Sequence, residues 1–189
     1  MNNIYEEISP KLRDFIANQK MFFVATAPLS GDGHVNLSPK GLDTLRVLGP
    51  HRVAYLDLSG SGVETVAHLR ENGRICIMFC AFDGPPKIIR LHGKGRVLTP
   101  EQQPEFGELL SHFPDLPGGR AIIVVDVNRI AGSCGFSVPR YEFVEQRDQL
   151  VKWVNKKGPD WLADYRKKNN AVSIDELPAI DPDPKKTGD

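Results

Sequence analysis

Short apolar runs, separated by turns rich in glycine and proline, dominate this sequence. The runs with the β-branched and aromatic residues typical of strands lie at 21–27, 34–38, 45–48, 53–58, 74–82, 87–97 and 121–127. They predict at least six strands, with only a few helical patterns between them. Many short strands joined by tight turns favour a mostly antiparallel barrel with peripheral helices over a doubly wound α/β sheet.

The helical patterns lie mostly at the ends of the chain. Ser9 and Thr99 are capping residues that are each followed by proline, so each predicts the start of a helix. A last helix is predicted over 150–168, interrupted by a Gly-Pro pair. A chain of 189 residues suits one domain with a full core. We therefore predict a single domain over 1–168, followed by a loosely held, polar and proline-rich tail over 169–189.

Composition narrows the classes of function. The 24 basic and 24 acidic residues give a formal net charge of zero, which removes the bulk attraction that a general nucleic-acid binder needs. No run approaches the length of a membrane span, and the first residues lack the pattern of a signal peptide. Three cysteines, an odd number, fit a reducing compartment, so we expect a cytoplasmic protein.

The cysteines themselves do not suggest a metal site. Cys76 and Cys80 are four residues apart on a predicted strand and share one face among apolar neighbours. No His or Cys pair has zinc spacing, so we predict buried cysteines that act as small apolar side chains. We expect no bound metal.

The stretch 52–82 carries the clearest candidate for a ligand site. A strand runs into Ser59-Gly60-Ser61-Gly62, a helical pattern follows, and Gly73 stands where a helix-ending glycine is expected. A helix start carries free N–H groups and a partial positive charge, so it attracts anions. The pattern therefore predicts a phosphate cradle, but a plain turn with a helix cap also explains it, and neither GxGxxG nor GxxxxGK[ST] is present. His68 and Arg70 are expected to face solvent or a partner.

The order of the motifs is similar to that of a known family. MFFVATA leads to HVNLSPKG, VAYLDLSGSG runs into VETVAHLRENGR, and ICIMFCAF, IIRLHGKGRV and CGFSVP follow. Over residues 10–145 this order resembles the pyridoxamine 5′-phosphate oxidase-like family of FMN-binding proteins. The resemblance implies a mainly β fold with peripheral helices, a six-stranded antiparallel split β-barrel. It also implies a homodimer with two FMN molecules in clefts between the protomers.

The resemblance further implies a set of cofactor-binding residues. The isoalloxazine ring and ribityl chain would be bordered by Asn36, Leu37, Ser38, Pro39 and Lys40. The strand end beneath the ribityl chain would be formed by Tyr55, Leu56 and Asp57, and the phosphate would be held by Ser61, Gly62 and Thr65. Lys40 would offer a cation to the phosphate or to the N1/O2 edge of the flavin. Arg90 would supply a polar or basic contact.

One departure from the family bears on the activity. The true oxidases carry Ser-Arg-Lys at the phosphate loop, where this chain has Ser61-Gly62-Val63, and a basic residue on the second strand, where it has Asn36. Phosphate affinity would then come from amides, hydroxyls, Lys40 and either Arg70 or Arg74. The His and Arg residues with which true oxidases grip their substrate near the C-terminus are not recognisable, so oxidation of pyridoxamine phosphate is not predicted.

The predicted function is an FMN-dependent oxidoreductase that acts on an unidentified small molecule. The flavin would perform the redox step, so no catalytic side chain is assigned. A second hypothesis is a module of the same fold that binds FMN, a deazaflavin or haem without turnover. A third is a structural dimer with an empty cleft.

Overall fold

The computed structural model describes residues 3–180 and places eight strands in one antiparallel sheet. The strands are β1 (Asn3–Tyr5), β2 (Phe22–Thr26), β3 (Asn36–Lys40), β4 (Leu45–Gly49), β5 (Arg52–Leu58), β6 (Arg74–Cys80), β7 (Ile88–Leu98) and β8 (Gly119–Ser133). The helices are α1 (Pro10–Asn18), α2 (Glu64–Glu71), α3 (Glu105–Leu110), α4 (Gln149–Lys157) and α5 (Pro159–Asn169). The sheet follows the order β3-β2-β6-β7-β8-β5-β4, and β1 pairs with β8.

The sheet curls around one aromatic centre. In this order β2 and β5 are four strands apart, so a flat sheet would separate them by roughly 19 Å. Instead the rings of Phe22 and Tyr55 lie 5.6 Å apart and those of Phe22 and Phe79 lie 6.0 Å apart. These rings belong to one buried cluster that also includes residues of β7, β8, α1 and α2. The predicted split β-barrel is confirmed, with eight strands rather than six; the three-residue β1 is too short to give a recognisable pattern.

Two strands extend past their predicted ends. β3 continues through Pro39, although proline favours an interruption, because β3 is an edge strand and the missing N–H of proline leaves no ladder bond unmade. β8 continues to Ser133, past the apolar run that ends at 127, because β7 pairs with it over that length and β1 pairs with it at 130–132. The ends of β3 and β8 are therefore determined by the strands they pair with, and not by where their apolar runs stop.

The helix starts illustrate both a success and an error. α1 begins at Pro10 as predicted, and Ser9 Oγ accepts a bond from the Leu12 amide at 3.4 Å. α3 begins at Glu105 and not near Thr99. The reason is Pro104. Gln103 precedes this proline, and a residue in that position is disfavoured in the helical region, so a regular helix does not run through residue 103. Within residues 3–180, no helix has the length and apolarity to cross a bilayer.

The prediction of a loosely held tail from 169 is wrong for residues 170–180. Asn170 and Ala179 are fully buried, and Ile180 joins the main core. A bridge pairs Val172 with Pro178, and the Asp175 carboxylate accepts a bond from the His34 amide at 2.8 Å. A few buried apolar residues are enough to hold this segment, although its overall composition is polar. The rest of the predicted tail, 181–189, lies outside the described residues.

Candidate functional site

The turn between β5 and α2 presents a row of amides that have no partner. Within residues 3–180, none of the backbone N–H groups of residues 61–65 donates a hydrogen bond. α2 begins at Glu64 with no side-chain bond capping its start. Ser61 and Gly62 are exposed. An uncapped helix start, preceded by two exposed residues, therefore lies at the position where the sequence predicts an anion site.

A buried carboxylate lies behind this turn. Asp57 is two residues after Tyr55 on the inner side of β5 and is fully buried. Its Oδ1 accepts a bond from Lys40 Nζ at 3.0 Å, and its Oδ2 accepts one from Arg120 Nε at 2.7 Å. Burial alone would raise the pKa of Asp57, but Lys40 and Arg120 together outweigh burial and hold that pKa below its usual range. Two cations thus share one ionised carboxylate, and the group has a net positive charge.

The same arginine also reaches the turn. Arg120, only 4% exposed, donates from Nη2 to the Gly62 carbonyl at 2.6 Å and from Nη1 to the Gly60 carbonyl at 3.4 Å. Arg166 of α5 donates from Nε to Ser59 Oγ at 2.8 Å. The Gly60 and Gly62 carbonyls therefore face the buried Arg120, while the amides of residues 61–65 donate no hydrogen bond within residues 3–180.

A second polar network links β3 to α2. Asn36 Nδ2 donates to Thr65 Oγ1 at 2.9 Å and to Thr26 Oγ1 at 3.1 Å. Ser38 Oγ donates to Asn36 Oδ1 at 2.9 Å, and Thr26 Oγ1 lies 3.0 Å from His68 Nδ1. Three of the predicted site residues, Asn36, Ser38 and Thr65, are thus brought together at the side of α2 that meets β3.

The prediction that His68 faces solvent or a partner is wrong. The ring is fully buried, and burial lowers the pKa of His68 against the nearby Asp175 carboxylate, which raises it. Every residue of α2 from Thr65 to Leu69 is buried. Ala179 and Ile180 enter the same core as α2, so this helix has apolar neighbours on more sides than a surface helix would. Interpreting α2 as an amphipathic helix could not predict that residues 179–180 would pack into the same core.

The other predicted site residues are distributed over both sides of the sheet. Tyr55 is fully buried in the main core, whereas Leu56 packs in a second cluster on the opposite side of β5. Leu37 and Pro39 are exposed on the outer side of β3. Arg90 lies on β7, where its Nη1 donates to Ser133 Oγ at 3.1 Å. The structure therefore groups Lys40 with Asp57, and Asn36 with Ser38 and Thr65, but it does not bring Arg90 to the turn.

Sequence reasoning missed the basic residues behind the turn. Arg70 and Arg74, the sequence-based alternatives for the phosphate, lie at and beyond the far end of α2, and Arg74 Nη2 donates to the Pro28 carbonyl at 2.8 Å. Arg120 has one recognisable signal, because it directly precedes a fully apolar run and a charge at such a position must find a buried partner. Arg166 and Asn170 carry no such signal.

A large cleft lies beside Lys40. It has a volume of about 1610 Å³, and Pro39 and Lys40 border it together with the irregular segment 140–147. That segment is held by its ends, since the Tyr141 amide donates to the Phe82 carbonyl and Gln146 Nε2 donates to the Lys20 carbonyl, both at 2.9 Å. Of the predicted site residues, only Pro39 and Lys40 reach this cleft.

The outer side of the sheet next to β3 is apolar. Strand pairing places Leu37, Ala25 and Cys76 in one row across β3, β2 and β6, and Pro39, Phe23 and Met78 in the next. Leu37 is 64% exposed, and the β2 and β6 members of these rows are only partly buried. We call these six residues the outer apolar face. Apolar side chains in adjacent rows on an open sheet are typical of an interaction surface.

Comparisons with known proteins agree with this architecture. The family model described as pyridoxamine 5′-phosphate oxidase matches residues 8–134. The pyridoxamine 5′-phosphate oxidase family protein ustO of Aspergillus flavus is 38% identical over 195 residues, which cover 93% of this chain and 77% of that protein.

Two solved structures share the fold. HupZ of Group A Streptococcus aligns with a TM-score of 0.53 at 21% identity, over 65% of this chain and 91% of its own. A candidate pyridoxamine 5′-phosphate oxidase of Lactobacillus delbrueckii aligns with a TM-score of 0.50 at 14% identity, over 67% of this chain and 94% of its own. At these identities the likeness concerns the fold alone.

Proposed function

The chain belongs to the pyridoxamine 5′-phosphate oxidase family, and on that basis we propose that it binds FMN and acts as an FMN-dependent oxidoreductase on a small molecule. The observation that carries the proposal is the row of free amides at residues 61–65, which have no partner within residues 3–180. A terminal phosphate is the part of FMN that such a row would bind. The oxidoreductase activity and a cytoplasmic location are proposed from the sequence analysis.

The residues at the turn fit a phosphate in kind and in charge. Amides at a helix start and the exposed Ser61 hydroxyl are donors, which is what an anion requires. Lys40 and Arg120 share the single carboxylate of Asp57. Their excess positive charge lies behind the turn and favours an anion in front of it.

The protein's part in the proposed reaction is to bind and to orient. When bound, FMN would supply hydride transfer at its N5. Lys40, held at the end of β3 by Asp57, places an ammonium group at the rim of the large cleft. We assign to Asn36, Ser38 and Thr65 the contacts along the ribityl chain and phosphate, because their hydrogen bonds hold β3 against α2. Tyr55 and Asp57 would support the site from within the barrel, and Leu56 would support β5 from its opposite side.

Glu64 gives the first test of this placement. A Cβ built on Gly62 would lie 2.8 Å from Glu64 Oε2, so this carboxylate lies against the proposed phosphate site. We expect Glu64→Gln to tighten FMN binding about three- to ten-fold, because it removes a like charge from the neighbourhood of the phosphate. Titration with FMN, followed by quenching of flavin fluorescence, measures the change. Glu108→Gln on α3, an exposed glutamate in another helix, should leave the affinity unchanged, and equal affinities for Glu64→Gln and the parent would argue against the placement.

We also propose that the protein is a homodimer and that the outer apolar face lies in the interface. Leu37, Phe23 and Met78 leave apolar area that a second copy would cover. We expect Leu37→Asp to convert the dimer to monomer without loss of fold, because this side chain is 64% exposed in the single chain. Light scattering after gel filtration reports the mass. Leu110→Asp on α3 is the control, and a parent protein that is already monomeric would contradict the proposal.

The function itself is tested on the purified protein. Flavin absorbance bands, either as purified or after addition of FMN, would show binding. Bleaching of the bound flavin by NAD(P)H, and its reoxidation by air, would show that the flavin is reduced and reoxidised in the protein. Binding without bleaching by NAD(P)H would favour the alternative, a cofactor-binding module of the same fold, and a colourless protein that ignores FMN would refute the flavoprotein assignment.

A further inference from the structure

The side chain of Asn170 connects the segment after α5 to the turn that begins α2. Its Nδ2 donates to the Gly60 carbonyl at 3.0 Å, and its Oδ1 accepts a bond from Arg120 Nη1 at 2.9 Å. Asn170 is fully buried. We propose that Asn170, acting with Arg120, is a positioning residue that holds the carbonyls of this turn inward and so directs its amides toward a bound phosphate. This inference rests on the proposed function, since it concerns the same phosphate site.

The orientation of the amides follows from the planarity of the peptide bond. In a trans peptide the carbonyl of one residue and the N–H of the next lie in one plane and point in opposite directions. Asn170 and Arg120 draw the Gly60 carbonyl inward, so the Ser61 amide must point outward. Arg120 Nη2 draws the Gly62 carbonyl inward at 2.6 Å, so the Val63 amide must also point outward. These two amides belong to the row that has no partner within residues 3–180.

The hydrogen bonds to these carbonyls matter because Gly60 and Gly62 make the turn flexible. A Cβ added to Gly60 would meet no atom within 4 Å, and one added to Gly62 would meet only the flexible end of Glu64, so packing alone does not fix either residue. A flexible Ser-Gly-Ser-Gly turn would otherwise have to be ordered when the ligand binds. Bonds that fix its carbonyls beforehand reduce that entropic cost.

Asn170 is itself held firmly enough to serve as a fixed point. Its amide donates to the Arg166 carbonyl at 2.7 Å at the end of α5, and its carbonyl accepts a bond from the Ile180 amide at 2.9 Å. Both backbone groups and both polar atoms of the side chain thus make a hydrogen bond. The neighbouring Asn169 differs, because its side chain is exposed and donates only to the Tyr165 carbonyl of its own helix.

The test compares FMN with riboflavin, which lacks the phosphate, in the parent protein and in Asn170→Ala. We expect the variant to bind FMN about ten-fold more weakly and riboflavin within about two-fold of the parent, because only the phosphate contacts depend on the turn. Flavin fluorescence quenching gives both dissociation constants. Asn169→Ala is the matched control and should change neither constant.

A second variant covers the case in which Asn170→Ala does not fold. Arg120→Lys keeps the charge beside Asp57 but lacks the fork that reaches both carbonyls. The same selective loss of FMN affinity is expected. Equal losses for FMN and riboflavin, or no loss, would overturn the inference while leaving FMN binding by the parent in place. A parent protein that binds neither flavin would instead refute the proposed function, so the two failures can be told apart.

Discussion

Asp57→Ala is expected to lower the free energy of unfolding by about 3–5 kcal/mol, the usual cost of removing one partner from a buried ion pair. The substitution leaves Lys40 and Arg120 without their shared counter-ion, and Arg120, at 4% exposed, is poorly accessible to solvent that could replace it. The turn should also loosen, since Arg120 carries the bonds to the Gly60 and Gly62 carbonyls. Urea denaturation followed by circular dichroism measures the loss.

Asp126→Ala supplies the comparison for an exposed pair. Asp126 accepts a bond from Arg52 Nε at 2.7 Å, but its side chain is 57% exposed. Water replaces the lost partner there, so we expect a change of at most about 1 kcal/mol. Similar losses for the two variants would contradict a buried, dominant role for Asp57.

Asp57 also predicts how stability depends on pH. Its pKa is depressed in the folded protein, so its contribution is fully present above the unfolded value of about 3.9 and is lost as the pH falls through the lower folded value. Asp57→Asn should therefore show a weaker fall in stability below about pH 4 than the parent does. Unfolding curves recorded from neutral pH downward test the sign, and parallel falls in both proteins would contradict it.

The second large effect is expected on the ligand. Gly62→Asp should weaken FMN binding by about two orders of magnitude, because a carboxylate would stand a few ångströms from the phosphate in front of the free amides. The fold should be retained, since Gly62 is exposed and its backbone has no left-handed φ. Fluorescence titration gives the dissociation constant.

Two variants separate charge from bulk at this position. Gly62→Asn has nearly the same shape without the charge, so it should lose much less affinity than Gly62→Asp. Gly31→Asp places the same carboxylate on an exposed glycine with nothing within 4 Å of its Cβ position, and it should bind FMN as the parent does. Equal binding by Gly62→Asp and the parent would mean that the phosphate does not lie at the start of α2.

Local patterns predicted much of the fold. Ser9 and Pro10 start α1 where expected, and Gly73, with φ of +71°, ends α2 in the left-handed conformation that glycine favours. These features depend on residues within one turn of each other. The strand ends at Lys40 and Ser133 were missed because they depend on pairing with other strands.

The features of the candidate site also fall into those that depend on local sequence and those that depend on distant residues. The Ser-Gly turn and its helix start were visible locally, as was Lys40 after the second strand. The residues that hold the turn were not, because Arg120 and Asn170 contact Gly60 across 60 and 110 positions in the chain. A periodic pattern contains no information about which buried arginine will meet which carbonyl. The assignment of Lys40 to the cofactor likewise did not include its bond to Asp57.

The bond between Asn170 and Gly60 has a consequence for the order in which the molecule matures. All eight strands are complete by Ser133, so the barrel can close before the later residues have emerged from the ribosome. The bond from Asn170 to the Gly60 carbonyl, in contrast, forms only when a residue 110 positions downstream has been synthesised. If the proposed site binds a phosphate, its complete preorganisation is therefore a late event in biogenesis, and a translation product that stops before Asn170 would carry the eight strands described within residues 3–180 without this bond.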